Sequence, residues 1–471
     1  MGNPKAFLSI ARKEAGYRPV MERVTDFGEV EQTLNREDRK LQASRCMDCG
    51  IPFCHWACPL GNKMPEWQDL IYKAKWKEAI EILHETNNFP DFTGRICPAP
   101  CEKSCVLALQ EAPVTIRENE AAVTEIAFNE GMIKAQPPKT RNGKRVAVIG
   151  SGPAGMAAAQ QLNRKGYTVT VFEKGNAIGG LLRYGIPNFK LNKNVVDRRV
   201  NLLEEEGIIF KTNTEVGKDI SGKELLKSFD AVCLAVGAEH PRDINPQGRK
   251  LKGIHFAMEY LSMQNQLIMG ETVPEKKVIS AKDKHVLVIG GGDTGSDCVG
   301  TAIRQGALKV TQIEIMPKPP VGKNPATPWP QYPTILKTSS SHEEGCERRW
   351  CLNTSAFVGE NGKLTEVHVE EVEWKNENGR MTMTATGKKD VIKADLVFLA
   401  LGFVHPVHEG LLAELGVNFD ARGNVATDKE SLSSVAKVFA TGDAAMGASL
   451  VVRAIASGRK VAEDIHKSLT I

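Results

Sequence analysis

RVAVIGSGPAGMAAAQQLNRKGYTVTVFEK, residues 145–174, decides the fold. An apolar strand (Val146 to Ile149) enters the turn Gly150-x-Gly152-x-x-Gly155, an alanine-rich helix follows, and a second strand ends at Glu173. Strand, glycine turn, helix and strand with a terminal acid is the dinucleotide fingerprint of a parallel α/β sheet. Gly150 permits the tight turn, Gly152 lets backbone approach a pyrophosphate, and Gly155 lets the helix close on the strand. Glu173, 23 residues after Gly150, is placed to accept hydrogen bonds from ribose hydroxyls.

Outward from this stretch the pattern returns in HVLVIGGGDTGSDCVGTAIRQGALKVTQIEI, residues 285–315, with Gly290, Gly292 and Gly295 in the turn and Glu314 ending the second strand. Two such units imply two dinucleotides. ADLVFLALGF (residues 394–403) reads as a buried strand, and FDAVCLAVGA (229–238) has the same strand-to-glycine form. KVFATGDAAMGASLVVRAIASGRKVAEDI (437–465) reads as a strand, a Gly442-Asp443 turn and a helix, with helix capping as the plainer role for Asp443. From residue 141 onward strands and helices are expected to alternate in a doubly wound α/β arrangement. Residues 316–333 hold seven prolines. They are read as an ordered loop over the second dinucleotide site rather than as a polyproline ligand.

The cysteines mark a separate N-terminal unit. Seven of eleven lie between residues 46 and 105: Cys46-x2-Cys49-x4-Cys54-x3-Cys58-Pro59, then Cys97-x3-Cys101-x3-Cys105. Clustered cysteines in a chain without a secretory signal point to metal ligation rather than disulfides. A tight comb ending in Cys-Pro suits iron–sulfur clusters, and the last cysteine of such a comb commonly serves the other cluster. Seven thiolates fall one short of eight. Zinc is the alternative, with His55 as a fourth ligand, but only one C-x2-C hook is present.

Charge and hydropathy narrow the partners. A net charge of +4 over 471 residues gives no basic face for nucleic acid. No apolar run reaches the about 18 residues that span a bilayer, and MGNPKAFLSI has no signal-peptide core. The reading is a cytoplasmic protein that binds neither nucleic acid nor membrane.

Together GYRPVMERVTDFGEVE (16–31), CMDCGIPFCHWACP (46–59), GRICPAPCEKSC (94–105), APVTIRENE (112–120), GGLLRYGIPNFKL (179–191) and both glycine turns resemble the small subunits of glutamate synthases. That family shares its build with part of dihydropyrimidine dehydrogenase and, in its dinucleotide domains, with adrenodoxin reductase. The resemblance covers nearly the whole chain. It implies an α/β protein with a helical N-terminal iron–sulfur domain (1–140) followed by two Rossmann-like domains, the NAD(P)H domain (241–402) being inserted into the FAD domain (141–240 and 403–471). It implies FAD at the first turn, with Gly180, Leu181, Gly442 and Asp443 beside it, and NADH or NADPH at the second. It implies one 4Fe-4S cluster on Cys46, Cys49, Cys54 and Cys105, and another on Cys58, Cys97, Cys101 and the carboxylate of Glu120.

Hydride transfer between nicotinamide and flavin requires no acid, base or nucleophile from the protein, so no catalytic side chain is assigned. Glu314, with Ile315 and Met316 where NADPH-using relatives tend to carry arginines, favours NADH. The bacterial family members favour NADPH, and Arg348 or Arg349 is placed to approach from the following loop. By resemblance the electrons go to a large subunit that forms glutamate from glutamine and 2-oxoglutarate. The amidotransferase nucleophile of that reaction is an N-terminal cysteine, whereas this chain opens Met-Gly-Asn. The same build also fits a ferredoxin–NAD(P)H oxidoreductase or the reductase subunit of a pyrimidine dehydrogenase.

Overall fold

A computed structural model describes residues 3, 5–110, 112–377 and 380–470; Met1 and Gly2 lie outside the described residues. The first fingerprint nucleates a five-stranded parallel sheet. Its order is Val438–Ala440, Ala231–Leu234, Arg145–Ile149, Thr168–Phe172 and Ile209–Lys211. Four of these strands are buried along most or all of their length, the pattern of a sheet covered on both faces. The outermost of those four, Val438–Ala440, comes from near the C-terminus.

The second fingerprint builds a matching parallel sheet from Ile254–Phe256, Leu396–Leu399, His285–Ile289, Lys309–Glu314 and Glu347–Trp350. Between its last two strands in sequence, the expected alternation with helices fails. Leu352–Glu360, Lys363–Glu377 and Arg380–Lys393 form an antiparallel three-stranded sheet instead. Leu364, Val367, Val369 and Val372 supply its buried side. Leu364, Val367 and Val369 share a core with Leu287, Ile289 and Val397 of the parallel sheet. A half-buried antiparallel sheet thus takes the place of a covering helix.

Residues 36–129 supply short helices around a core of Trp67, Ile71, Leu83 and Val123, into which Cys58, Cys101 and Cys105 are also drawn. Helix Pro90–Ile96 lies directly on helix Ile116–Asn129, because a Cβ on Gly94 would stand 2.6 Å from the backbone nitrogen of Ala121. That contact carries Glu120 toward Cys97. No helix among the described residues is long and apolar enough to cross a membrane.

The C-terminal helix Val451–Thr470 closes the molecule against the fingerprint helix Pro153–Arg164. Contact is made through Gly458, where a Cβ would lie 2.2 Å from the carbonyl oxygen of Ala154. Alanine normally stabilises a helix relative to glycine by about 1 kcal/mol. Here overpacking is expected to win, so Gly458→Ala should destabilise the fold by about 1–3 kcal/mol. The check is a lower thermal midpoint by calorimetry; a raised midpoint would contradict the close contact.

Candidate redox site

Both glycine turns are built by the same steric device. At Gly150, with φ +102°, a Cβ would stand 2.4 Å from the carbonyl oxygen of Ala235, and one on Gly155 would stand 2.0 Å from that of Gly150. At Gly290 and Gly295 the corresponding distances are 2.3 Å to the Ala400 oxygen and 2.3 Å to the Gly290 oxygen. Gly152 and Gly292 differ from these four: a Cβ on either would meet nothing within 4 Å. Each precedes the first turn of its helix with no side-chain cap. The space beside these two glycines is open, as the close approach of a pyrophosphate to a helix N-terminus requires.

Around the first turn the structure gathers the other expected residues. A Cβ on Gly180 would lie 2.9 Å from the Cα of Gly152, and one on Gly442 would lie 2.7 Å from the Cβ of Ala154. Leu181 follows, partly exposed, at the start of the short helix Leu181–Tyr184. Asp443 heads helix Asp443–Met446 and accepts from Ser449 Oγ at 2.9 Å; burial pushes its carboxyl up. Glu173 is buried, accepting from Ser151 N at 3.1 Å, Ser151 Oγ at 2.6 Å and Gly175 N at 2.7 Å.

Ser151 escaped the sequence reading. Its hydroxyl donates to Glu173 and accepts from Gly179 N at 2.9 Å, joining the glycine turn, the terminal acid and the Gly179-Gly180 bend. The only signal was a small polar residue inside the turn.

At the second turn Glu314 accepts from Gly291 N at 2.6 Å and from Met316 N at 3.1 Å. Gln312, also missed, donates to the Gly290 oxygen at 2.8 Å and bonds His342 Nε2 at 2.8 Å. Arg349 pairs with Asp390 at 2.7 Å, while the Arg348 guanidinium and the Lys318 ammonium each lie 5.1 Å from the centre of the Trp350 ring. Trp350 stands opposite Glu314 in the sheet. A carboxylate and two cations thus meet beside the second turn. The proline-rich segment leans on the cysteine unit, with Trp329 4.6 Å from the Phe53 ring.

The seven cysteines divide into two nests. Cys46, Cys49, Cys54 and Cys105 line one small cavity, whose walls are otherwise mainly apolar, among them Phe53, Met64, Leu107 and Ile116. Cys46, Cys49 and Cys54 lie in the electrostatic field of Cys105. Cys58, Cys97 and Cys101 lie in that of Glu120. Burial pushes the thiols of Cys46 and Cys97 up to about 12, so bare thiolates are disfavoured unless a cationic centre compensates them. Burial also raises the Glu120 carboxyl to about 8, although it accepts from Asn87 Nδ2 at 3.0 Å and from Thr93 Oγ1. Burial pushes the Cys58 thiol up, and the nearby backbone amides of Asn62, Leu60 and Gly61 oppose that shift. His55 lines a different, outer depression with Ile51, Trp56 and Pro330. Among the described residues no group of three or more His, Cys, Asp or Glu side chains forms a site for a single metal ion. Four thiols around one apolar cavity suit a cubane cluster.

Comparison with known proteins assigns both halves of the chain to described families. Residues 23–132 match the family described as dihydropyrimidine dehydrogenase domain II, 4Fe-4S cluster. Residues 144–326 and 363–458 match the pyridine nucleotide-disulphide oxidoreductases. The glutamate synthase [NADPH] small chain of Mycobacterium tuberculosis is 50% identical over 100% of this chain and 96% of its own length. That of Bacillus subtilis is 44% identical over 100% and 99%. The chain belongs to the glutamate synthase small-chain family. This small chain is an oxidoreductase for electron input, using FAD, 4Fe-4S and NAD(P)H.

The glutamate synthase [NADH] of Schizosaccharomyces pombe is 45% identical over 98% of the small chain, yet the match covers 22% of that longer protein. Among solved structures, Mycobacterium tuberculosis FprA in complex with NADPH aligns with a TM-score of 0.55 and 18% identity, over 71% of this chain and 85% of the other, a likeness of fold.

Ser151→Ala should leave the buried Gly179 amide without its acceptor and cost about 1–3 kcal/mol. The expected result is a lower denaturant midpoint with an unchanged m-value; an unchanged midpoint would mean that the hydroxyl does not brace the turn.

Proposed function

We propose that the Gly150–Gly155 turn holds FAD and the Gly290–Gly295 turn holds the nicotinamide. In this reading Cys46, Cys49, Cys54 and Cys105 ligate one 4Fe-4S cluster, and Cys58, Cys97, Cys101 and Glu120 ligate the other. The observation that carries it is the division of eight donors, four of them buried and four partly buried, into two sets of four, the first of them around a single cavity. FAD supplies the conversion of a two-electron input into single-electron output. The chain's own residues bind and orient. Turn amides face the pyrophosphates, Glu173 and Glu314 stand at the ribose ends, and Gly442 and Asp443 close over the flavin side. No side chain acts as acid or base.

The domains follow these assignments: clusters in 1–140, FAD in 141–240 with 403–471, and nicotinamide in 241–402. Sharing of one sheet by Arg145–Ile149 and Val438–Ala440 supports the discontinuous flavin domain. A Cβ on Gly152 would meet nothing within 4 Å, so Gly152→Val should purify folded and lack flavin. The same change at Gly292 should keep flavin and raise the nicotinamide KM at least about tenfold, the equivalent of ~1.4 kcal/mol. The reverse pattern, read from flavin absorbance and steady-state kinetics, would exchange the two assignments.

The electron acceptor is proposed to be a glutamate synthase large subunit that forms glutamate from glutamine and 2-oxoglutarate. Support comes from the S. pombe relative, in which the matched stretch is a minor part of one longer chain. An exposed apolar face beside the first nest, with Ile51 78% and Trp56 72% accessible, suits the contact. Cytoplasmic residence is supported by eleven free cysteines. The isolated chain should reduce artificial acceptors from NAD(P)H and make no glutamate until the large subunit is added, and Trp56→Ser should weaken that reconstitution. Glutamate from the isolated chain, or ferredoxin reduction with no response to any large subunit, would move the assignment to another electron-input enzyme.

A further inference from the structure

Residues 16–32 form a closed loop pinned at its neck, with Arg18 N donating to Val30 O at 2.9 Å and Gln32 N to Gly16 O at 3.0 Å. Inside it Arg18 grips Asp26 through two bonds of 2.9 and 2.7 Å. The loop touches all three parts of the molecule. Toward the cysteine unit, Glu31 pairs with Arg117 at 2.7 Å and Glu29 with Arg95 at 2.5 Å. Toward the first dinucleotide unit, Asn188 donates to Phe27 O at 2.8 Å and Val30 N donates to Phe189 O at 3.0 Å.

Toward the second unit the contact is ionic and dry. Arg23 Nε donates to Glu344 Oε1 at 2.8 Å, and its Nη2 donates to Ser340 O at 2.8 Å and to Glu343 at 3.2 Å. Glu344 is also held by Arg304, at 2.5 and 3.0 Å. Side-chain exposure is 3% for Arg23 and 0% for both Glu344 and Arg304. The Arg304 guanidinium in turn lies 3.8 Å from the centre of the Phe189 ring. Arg304 ends helix Asp293–Arg304, the helix that starts at the second glycine turn.

Domains joined by two crossing segments move relative to each other by default. A carboxylate buried between two arginines of different domains resists such motion, because separating them strands charge in a dry interface. Hydride transfer demands reacting atoms within a fraction of an ångström of productive placement. We propose that residues 16–32 are a strap that sets the attitude of the nicotinamide domain over the flavin domain, and that Arg23, acting through Glu344 and Arg304, is a positioning residue for hydride transfer.

The test uses the whole chain with its flavin and clusters, and it rests on the electron-input reading. Wild-type enzyme whose flavin is reduced by neither NADH nor NADPH would sink that reading; a normal wild type with an indifferent Arg23 variant sinks only the strap. In Arg23→Ala the limiting rate of flavin reduction in rapid mixing should fall about tenfold to a hundredfold, with flavin and iron content retained. Arg23→Lys should restore part of the rate. Reoxidation of dithionite-reduced enzyme by ferricyanide, which bypasses the nicotinamide, should not change. Amide exchange should rise in residues 293–304 and 340–344 and stay constant in 153–164. If Arg23→Ala does not fold, Arg23→Gln is subjected to the same measurements. An unchanged limiting rate in a folded variant, or exchange rising equally across 153–164, would overturn the proposal.

Discussion

The absence of one methyl group at Gly458 holds the architecture together. With no Cβ, the C-terminal helix lies backbone to backbone on the fingerprint helix at Ala154. From that seat it reaches both neighbours. Val452 enters the core of the cysteine unit, and Arg459 donates to Asn88 Oδ1 and to Glu85 O, both at 2.7 Å. Asn88 donates to Gln160 at 2.6 Å, and Gln160 donates to the buried Glu206. Helix Val451–Thr470 therefore ties the cysteine unit to the first parallel sheet.

The domain junctions combine apolar contacts, such as Phe89 and Phe92 in the core of the first parallel sheet, with buried ions. Arg199 and Asp91 form a two-bond pair at 3.1 Å with both side chains almost wholly buried, and the guanidinium lies 4.9 Å from the centre of the Phe128 ring. Such pairs repay little of their desolvation cost, so their contribution to net stability is small. They do restrict geometry, since a displaced partner leaves a bare charge in a dry interface. With cofactors in separate domains, as proposed above, electron transfer needs that restriction more than affinity between domains. The buried contact of Arg23 with Glu344 and Arg304 restricts geometry in the same way.

The two dinucleotide units show one device diverging. Backbone contacts at Gly150 and Gly290 agree to about a tenth of an ångström. The terminal acids differ in surroundings: Glu173 is enclosed by Ser151 and the Gly179-Gly180 bend, whereas Glu314 stands near Trp350 with its two cations. A closed acid suits a resident cofactor, and an open one suits a coenzyme that comes and goes. The antiparallel sheet of Leu352–Glu360, Lys363–Glu377 and Arg380–Lys393 packs on the parallel sheet of the second unit.

Local chemistry was legible in the linear sequence because it needs only local spacing. Each glycine turn and its acid lie within 24 residues, a length over which strand, turn and helix leave the chain little choice, and the cysteine comb declares a metal unit before any folding. The antiparallel sheet was missed because its half-buried alternation sits where helices were expected. What joins distant segments was silent. Glu120 looks like any helix-surface acid until Gly94 brings two helices into backbone contact and buries it beside Cys58, Cys97 and Cys101. Arg23 and Glu344 are 321 positions apart, and nothing in either neighbourhood announces the other. Spacing along the chain determined which groups can do the chemistry; only the tertiary structure decided which of them share a site, because burial and desolvation act between surfaces that the sequence does not order.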